Sequence, residues 1–333
     1  MAVVLLAHGD GGLLTRELVE GVFLKYFNNP QLRQLSDSAV LSLPGGRLAM
    51  TTDAFVVEPI FFPGGDIGKL AVCGTVNDLA VSGALPLYMT ASFTIEEGFR
   101  LADLERVVAS MAAACTEAGV EVVAGDTKVV PRGHVDKLFI TTAGVGLVPE
   151  KVDWGYHRPV PGDAVLVNGS LGNHGLTVLA ARENLGLDGA LASDCAPLNN
   201  IIKLLQKHCP GIKMMRDLTR GGLATAAKEI AEACGLDICL QEEALPLDPV
   251  VRGAADILGL DPLYLANEGK FLAIIDPAQA AKAVDILSQN SYGRNARVIG
   301  EVCAGSGNVY LQTPLGGTRL LSLQAGQPLP RIC

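Results

Sequence analysis

Four aspartates recur in short polar contexts: Asp53 in Thr51-Thr52-Asp53, Asp78 in Val76-Asn77-Asp78, Asp126 in Gly125-Asp126-Thr127-Lys128, and Asp217 in Arg216-Asp217-Leu-Thr219-Arg220-Gly221-Gly222. Dispersed carboxylates suit Mg²⁺, which takes a few of them and completes its octahedron with water and phosphate oxygens. The three in the first half read as ends of elements, where a polyphosphate and its metal have room to approach. Singly, each is equally the mark of a helix cap or a turn.

Positive and glycine-rich counterparts accompany them. Lys69, in Gly64-Gly65-Asp66-Ile67-Gly68-Lys69, and Lys128 can neutralise phosphate charge as a transition state develops, or simply be solvated. In His8-Gly9-Asp10-Gly11-Gly12 the missing side chains let the amides of Gly11 and Gly12 approach an anion ahead of a helix, although the loop matches neither the Walker nor the dinucleotide pattern. Glu268, in Asn267-Glu268-Gly269-Lys270, stands between the strand-like 263–265 and the apolar 271–275. Partial desolvation there raises a carboxyl's pKa and makes it a usable proton acceptor or donor; the alternative is a turn residue. His174, beside a helix start, is either a ligand-binding group or a cap and hydrogen-bond partner.

The chain ends on Pro330-Arg331-Ile332-Cys333, after a segment whose prolines keep it from helix and strand. A thiol on such a tether is a carrier arm, and roughly 12 residues span at most about 40 Å. The bland alternative is a frayed terminus. To be loaded the thiol must ionise from a pKa of about 8.5 beside a negative C-terminus, which Arg331 partly offsets. The other cysteines are scattered without zinc-type spacing, and Cys73, Cys115 and Cys234 sit among apolar residues at helical spacing, as small buried residues do.

The elements that must position these residues alternate between strands and amphipathic helices, as in an α/β or α+β chain. A stripe of Leu14, Leu18, Val22 and Tyr26 predicts a first helix ending at Asn28-Asn29-Pro30. Strands are expected over 48–57, 87–95, 120–124 and 138–148, with a helix over 67–81 capped by Asp66 and another carrying Leu101, Leu104, Val108, Met111 and Cys115. Turn chemistry between Pro149 and Gly162 places a domain boundary there, giving domains 1–152 and 153–320 and a tail 321–333. In the second half, strands are expected over 164–168, 236–241, 271–275, 296–302 and 309–311, and helices near 175–184, 198–207, 221–234 and 278–287.

A net charge of −9 over 333 residues, with no run of Lys or Arg, argues against nucleic-acid and anionic-membrane partners. There is no stretch approaching 18 consecutive apolar residues, and Met1-Ala-Val-Val-Leu-Leu-Ala does not resemble a signal peptide, so a cytoplasmic location is expected.

In this order, the segments resemble the ATP-using superfamily of aminoimidazole ribonucleotide synthetase, selenophosphate synthetase and thiamine-monophosphate kinase. Within it, His8 to Gly12, Phe62 to Ala71, Gly74 to Gly83, Gly125 to Val130, Arg216 to Gly222, Asn267 to Lys270 and Pro330 to Cys333 are similar to the HypE family of hydrogenase maturation factors. The terminal tetrapeptide discriminates most, because the aspartates and glycines fit several relatives.

The resemblance implies an α+β, two-domain PurM-like architecture of small mixed sheets covered by helices, with a flexible C-terminal tail and pairing of first domains into a homodimer. It implies a carbamoyl dehydratase. A HypF-type carbamoyltransferase loads Cys333, ATP-dependent dehydration turns the thiocarboxamide into a thiocyanate, and a HypC-HypD complex receives cyanide for the iron of a nickel-iron hydrogenase. Carried over, ATP and Mg²⁺ fall to Asp53, Asp78, Asp126 and Asp217 as metal ligands and to Asn77, Asp78, Asp126, Thr127, Lys69, Gly11 and Gly12 as nucleotide contacts. Cys333, Glu268 and Lys128 are the catalytic candidates. Two positions depart from the family pattern: Asp10, where a small uncharged residue is expected, and Asn173, where an aspartate is frequent. A selenophosphate synthetase would carry a reactive cysteine or selenocysteine in the loop that here has His8 and Asp10; a small-substrate relative would not need Cys333; a carrier scaffold would bind ATP without dehydrating anything.

Overall fold

The computed structural model describes residues 3–5, 8, 17–29, 46–187, 189–324 and 332. The first half is built on strands β1 (Arg47–Phe55), β2 (Leu85–Glu96), β3 (Glu121–Val130) and β4 (Leu138–Val148), in the order β1-β4-β2-β3. Only β2 and β3 run parallel, so the sheet is mixed. Helices α1 (Ile67–Val81) and α2 (Leu101–Ala118) are joined to it. The first predicted helix is present as a π-helical turn, Val19–Phe23, continuing through Leu24–Tyr26, with Leu18 and Val22 buried; Leu14 lies outside the described residues.

Helix α1 begins where expected, because the Asp66 carboxylate accepts the amides of Gly68 (2.8 Å) and Lys69 (3.1 Å), which have no partner within the helix. Its burial on nearly all sides has a tertiary cause: it packs on β1, β4 and α2, and also on α4 (Asn199–His208) and β6 (Ile212–Asp217) of the second half. Helix α2 shows the ordinary one-sided pattern, with Leu104, Val108, Met111 and Cys115 inside, and stops at Gly119, whose φ of +71° suits the left-handed cap.

The second half holds a mixed seven-stranded sheet. Its other strands are β5 (Ala164–Val167), β7 (Asp237–Gln241), β8 (Phe271–Ile275), β9 (Arg297–Cys303), β10 (Val309–Gln312) and β11 (Thr318–Leu321), in the order β11-β10-β7-β9-β5-β8-β6. Strands β5 and β8 are buried on both faces, hence their unbroken apolar sequences. Val165, Val167, Leu272 and Ile274 enter one core with helix α5 (Gly222–Cys234), while Ala164, Leu166, Phe271, Ala273 and Ile275 enter another with α4 and α7 (Pro277–Ser288). Helices α3 (Asn173–Glu183) and α6 (Pro249–Leu258) pack on each other, with Leu176 and Val251 in a small cluster of their own.

Several expectations are corrected. Asp53, Asp78 and Asp126 do not lie at element ends: β1 pairs with β4 through Phe55, α1 runs on to Val81, and β3 pairs with β2 as far as Val130. The strand-like 263–265 is a 3₁₀ turn, Pro262–Tyr264, started by Asp261. Cys234 is half-buried rather than buried, while Cys73 and Cys115 are inside. Strands β6 and β11 and helix α6 were not anticipated. Lys213, Arg216 and Asp217 interrupt the apolar pattern of β6, and Val250, Val251 and Gly253 weaken the helical reading of α6. Among the described residues no helix is long and apolar enough to cross a membrane.

Candidate active site

Where α1 meets β6, a cleft of about 790 Å³ opens, lined by Asp53, Asp78, Asp217, Glu268 and Ile332. Each carboxylate arrives from a different element. Asp53 projects from β1 and accepts Thr75 Oγ1 of α1 at 3.3 Å. Asp78, one turn further along α1, accepts Thr51 Oγ1 at 2.9 Å. Asp217 ends β6, accepts Thr219 Oγ1 at 2.7 Å and faces Arg216 Nε at 3.7 Å.

Their fields overlap. Burial pushes the Asp78 carboxyl up to about 7, helped by the charges of Asp217 and Asp53. Asp53 is raised by burial, with the Asp217 charge adding to it while Thr75 and Arg220 oppose. Carboxylates drawn together against their own repulsion are a donor set that a hard cation relieves. Among the described residues, no three His, Cys, Asp or Glu side chains are grouped closely enough to hold a metal ion by themselves.

Glu268 is 2% exposed, and its Oε1 has no hydrogen-bond partner. Burial first, then the neighbouring Cys195, Asp194, Asp217 and Asp53, hold its pKa well above the usual carboxylate range. The loop carrying it is tightly fastened. Asp194 accepts the amides of Glu268 (3.2 Å) and Gly269 (3.1 Å) as well as Lys270 Nζ (3.0 Å). Gly269 is required by close approach, since a Cβ there would meet the Asp194 carbonyl oxygen at 2.0 Å. From α1, Asn77 Nδ2 donates to the carbonyls of Ala196 (3.0 Å) and Glu268 (3.2 Å), and its Oδ1 accepts Leu198 N (2.8 Å). Asn77, expected at the nucleotide, thus fastens the two halves together from a buried position.

The remaining expected residues are dispersed. Lys69 donates to Gly64 O at 3.2 Å and lines a separate cavity of about 380 Å³ beside Asp194, Cys195 and Lys270. Asp126, Thr127 and Lys128 lie on β3, at the far edge of the four-stranded sheet from β1, with Asp126 and Lys128 exposed. They line neither cavity. Asn173 donates to Asp248 Oδ2 at 2.8 Å, leaving its own Oδ1 buried and unpartnered. Asp10, Gly11, Gly12 and Cys333 lie outside the described residues. Ile332, the residue before Cys333, is buried, and its carbonyl lies 2.9 Å from Nε2 of the fully buried His174.

Sequence reasoning passed over the cleft's other walls. Trp154 and Tyr156 line it from the connection between the halves, which read only as turn chemistry; the chain's single tryptophan in a glycine- and proline-rich connection was the available signal. Arg216 and Arg220 also line it, and their place on either side of Asp217 was the clue. Asp194 carried no local signal.

Comparison with known proteins finds relatives along most of the chain. The model for the N-terminal domain of AIR synthase related proteins matches residues 35–148, and that for their C-terminal domain matches residues 160–312. A carbamoyl dehydratase HypE from Rhodobacter capsulatus is 49% identical over 333 residues, covering 99% of this chain and 98% of the relative. A crystal structure of the hydrogenase maturation protein HypE in complex with ATP superposes with a TM-score of 0.96 at 47% identity, covering 99% of each chain. A HypE-HypF complex contains a chain matching at a TM-score of 0.81 and 46% identity, covering 92% of this chain and 99% of that one.

Proposed function

The chain belongs to the HypE family of carbamoyl dehydratases, and from that premise we propose that it dehydrates an S-carbamoyl group on its own Cys333 to a thiocyanate, consuming ATP, to supply the cyanide ligand of a nickel-iron hydrogenase. The observation that carries this reading is the seating of Ile332 in the cleft that also holds Glu268 and the three aspartates. The next residue along the chain is Cys333, so a group on its sulfur is tethered one residue beyond a wall of the cleft that Glu268 and the three aspartates also line.

The chemistry balances as R–S–C(=O)NH₂ + ATP → R–S–C≡N + ADP + phosphate. An amide oxygen is a poor leaving group; transfer of the γ-phosphoryl group to it makes it leave as phosphate while the triple bond forms. Both N–H protons must go as this happens, and phosphorylation of the oxygen acidifies them. Glu268, in its ionised form, takes a proton at Oε1, and its desolvation makes it a stronger base than a solvated carboxylate. Asp53, Asp78 and Asp217 would hold Mg²⁺, which supplies neutralisation of phosphate charge when bound. Arg216 and Arg220 add positive charge at the same cleft.

A homodimer built on the four-stranded sheets gives the outlying Asp126, Thr127 and Lys128 a role, since a second copy can bring them to the nucleotide. The exposed Leu48 and Met50 on the edge strand β1 support such pairing. A HypF-type carbamoyltransferase as loader, a HypC-HypD complex as acceptor and a cytoplasmic location complete the reading.

Mass spectrometry of the C-terminal peptide tests it, after incubation with the carbamoyltransferase, carbamoyl phosphate and Mg-ATP. The expected result is a carbamoyl gain on Cys333 that loses one water only with hydrolysable ATP. An unmodified Cys333 beside a demonstrably active partner would overturn it.

A further inference from the structure

His174 is 0% exposed, and its hydrogen bonds together with its burial favour one arrangement of protons. The Ile332 carbonyl, 2.9 Å from Nε2, can only accept, so Nε2 carries a proton. Burial holds the ring's pKa below the usual histidine value, against the opposing influences of Asp194 and the Ile332 carbonyl, which favours the neutral form. Nδ1 is then an acceptor and takes the hydroxyl proton of Ser193 at 2.7 Å, while Ser193 Oγ accepts the Cys195 amide at 3.1 Å. Phe62 meets the ring edge-on at a centroid separation of 5.4 Å, and Ile332 joins the core cluster that contains Phe62, Val178 and Cys195.

One short segment, Ser193 to Cys195, therefore supports both sides of the cleft. Ser193 fixes the ring that holds the Ile332 carbonyl, and Asp194 fixes the amides of Glu268 and Gly269. We propose that His174 is the positioning residue for the terminal carrier: its Nε2–H holds the Ile332 carbonyl so that the group on Cys333 is presented to Glu268. The proposal rests on the reading that Cys333 is loaded and then dehydrated. Consecutive Cα atoms are about 3.8 Å apart, so fixing the Ile332 carbonyl limits where the next residue can lie. Because the bond is made to backbone, it acts whatever the sulfur carries. It must also be broken for the sulfur to reach a loading partner, so weakening it should favour loading and oppose dehydration.

Three variants of the full-length protein separate this role from a merely structural one. His174→Gln brings an amide nitrogen close to the place of Nε2, His174→Asn reaches only the Ser193 side, and a chain ending at Arg331 removes the acceptor. Alkylation of Cys333 by iodoacetamide, followed on the C-terminal peptide, reads release of the tail without any catalytic step. It is expected to run about fivefold to tenfold faster in His174→Asn than in the wild type, the worth of roughly one buried hydrogen bond, with His174→Gln close to wild type. Ring ¹⁵N shifts of His174 should move in the chain ending at Arg331. With the carbamoyltransferase, His174→Asn should load at least as fast as the wild type and dehydrate about fivefold to tenfold more slowly, whereas a folding defect would slow both. Equal alkylation of the folded Asn variant and wild type, or ¹⁵N shifts unchanged by truncation, overturns the proposal. If the alkylation contrast holds while wild-type Cys333 is never dehydrated, the functional reading has failed and the His174 contact stands.

Discussion

Asp194 and Lys270 form an ion pair at 3.0 Å with side chains only 7% and 10% exposed, and the same carboxylate fastens the amides of Glu268 and Gly269. The proposed base is thus held by a group that has no contact with the reaction. Burial alone would raise the Asp194 pKa; the charge of Lys270, its hydrogen bond and that of the Glu268 amide override it and hold the carboxyl below its usual range.

Removing Asp194 leaves a buried ammonium without a counter-charge. Asp194→Ala is expected to lose about 3–5 kcal/mol in urea unfolding, and the double variant with Lys270→Met to recover most of it. Full stability in the single variant would show that water replaces the carboxylate.

Glu268 should make the apoprotein less stable as pH rises. Its folded pKa is raised, so its contribution is fully present below the unfolded value of about 4.3 and is lost as pH rises toward the folded pKa. Glu268→Gln does not titrate, and its melting temperature should therefore exceed that of the wild type increasingly above pH 5. In the same variant ATP should still bind, while conversion of a preloaded tail slows by about 10²-fold to 10⁴-fold. Unchanged conversion would remove Glu268 from the mechanism.

The three aspartates can be tested by metal titration. Asp78→Asn relieves repulsion with Asp217 and Asp53, so the apoprotein should melt no lower than the wild type. It should also need at least about tenfold more Mg²⁺ for the same ATP-induced thermal shift, and chelation should abolish the shift in both proteins. An identical Mg²⁺ requirement would take Asp78 out of the metal site.

Cys333→Ala should abolish thiocyanate formation while ATP binding persists and unfolding free energy changes by less than about 0.5 kcal/mol. A larger loss in calorimetry would mean that the thiol itself is part of the packing.

How much of this was legible beforehand follows the range of the interaction involved. The Asp66 cap, the stripe of α2, the continuous apolar run of β8 and the terminal thiol are written in neighbouring residues, because capping, helical period and strand burial act over a few positions. The list of acidic candidates was legible too, since carboxylates in polar contexts announce their chemistry. Their grouping was not. Asp78 meets Asp217 because β6 packs on α1, Glu268 is desolvated because Asp194 and Asn77 pull its loop inward, and Asp126 lies at the opposite sheet edge despite its similar context. Desolvation and mutual charge depend on distances between segments far apart in the chain, and only tertiary packing decides those.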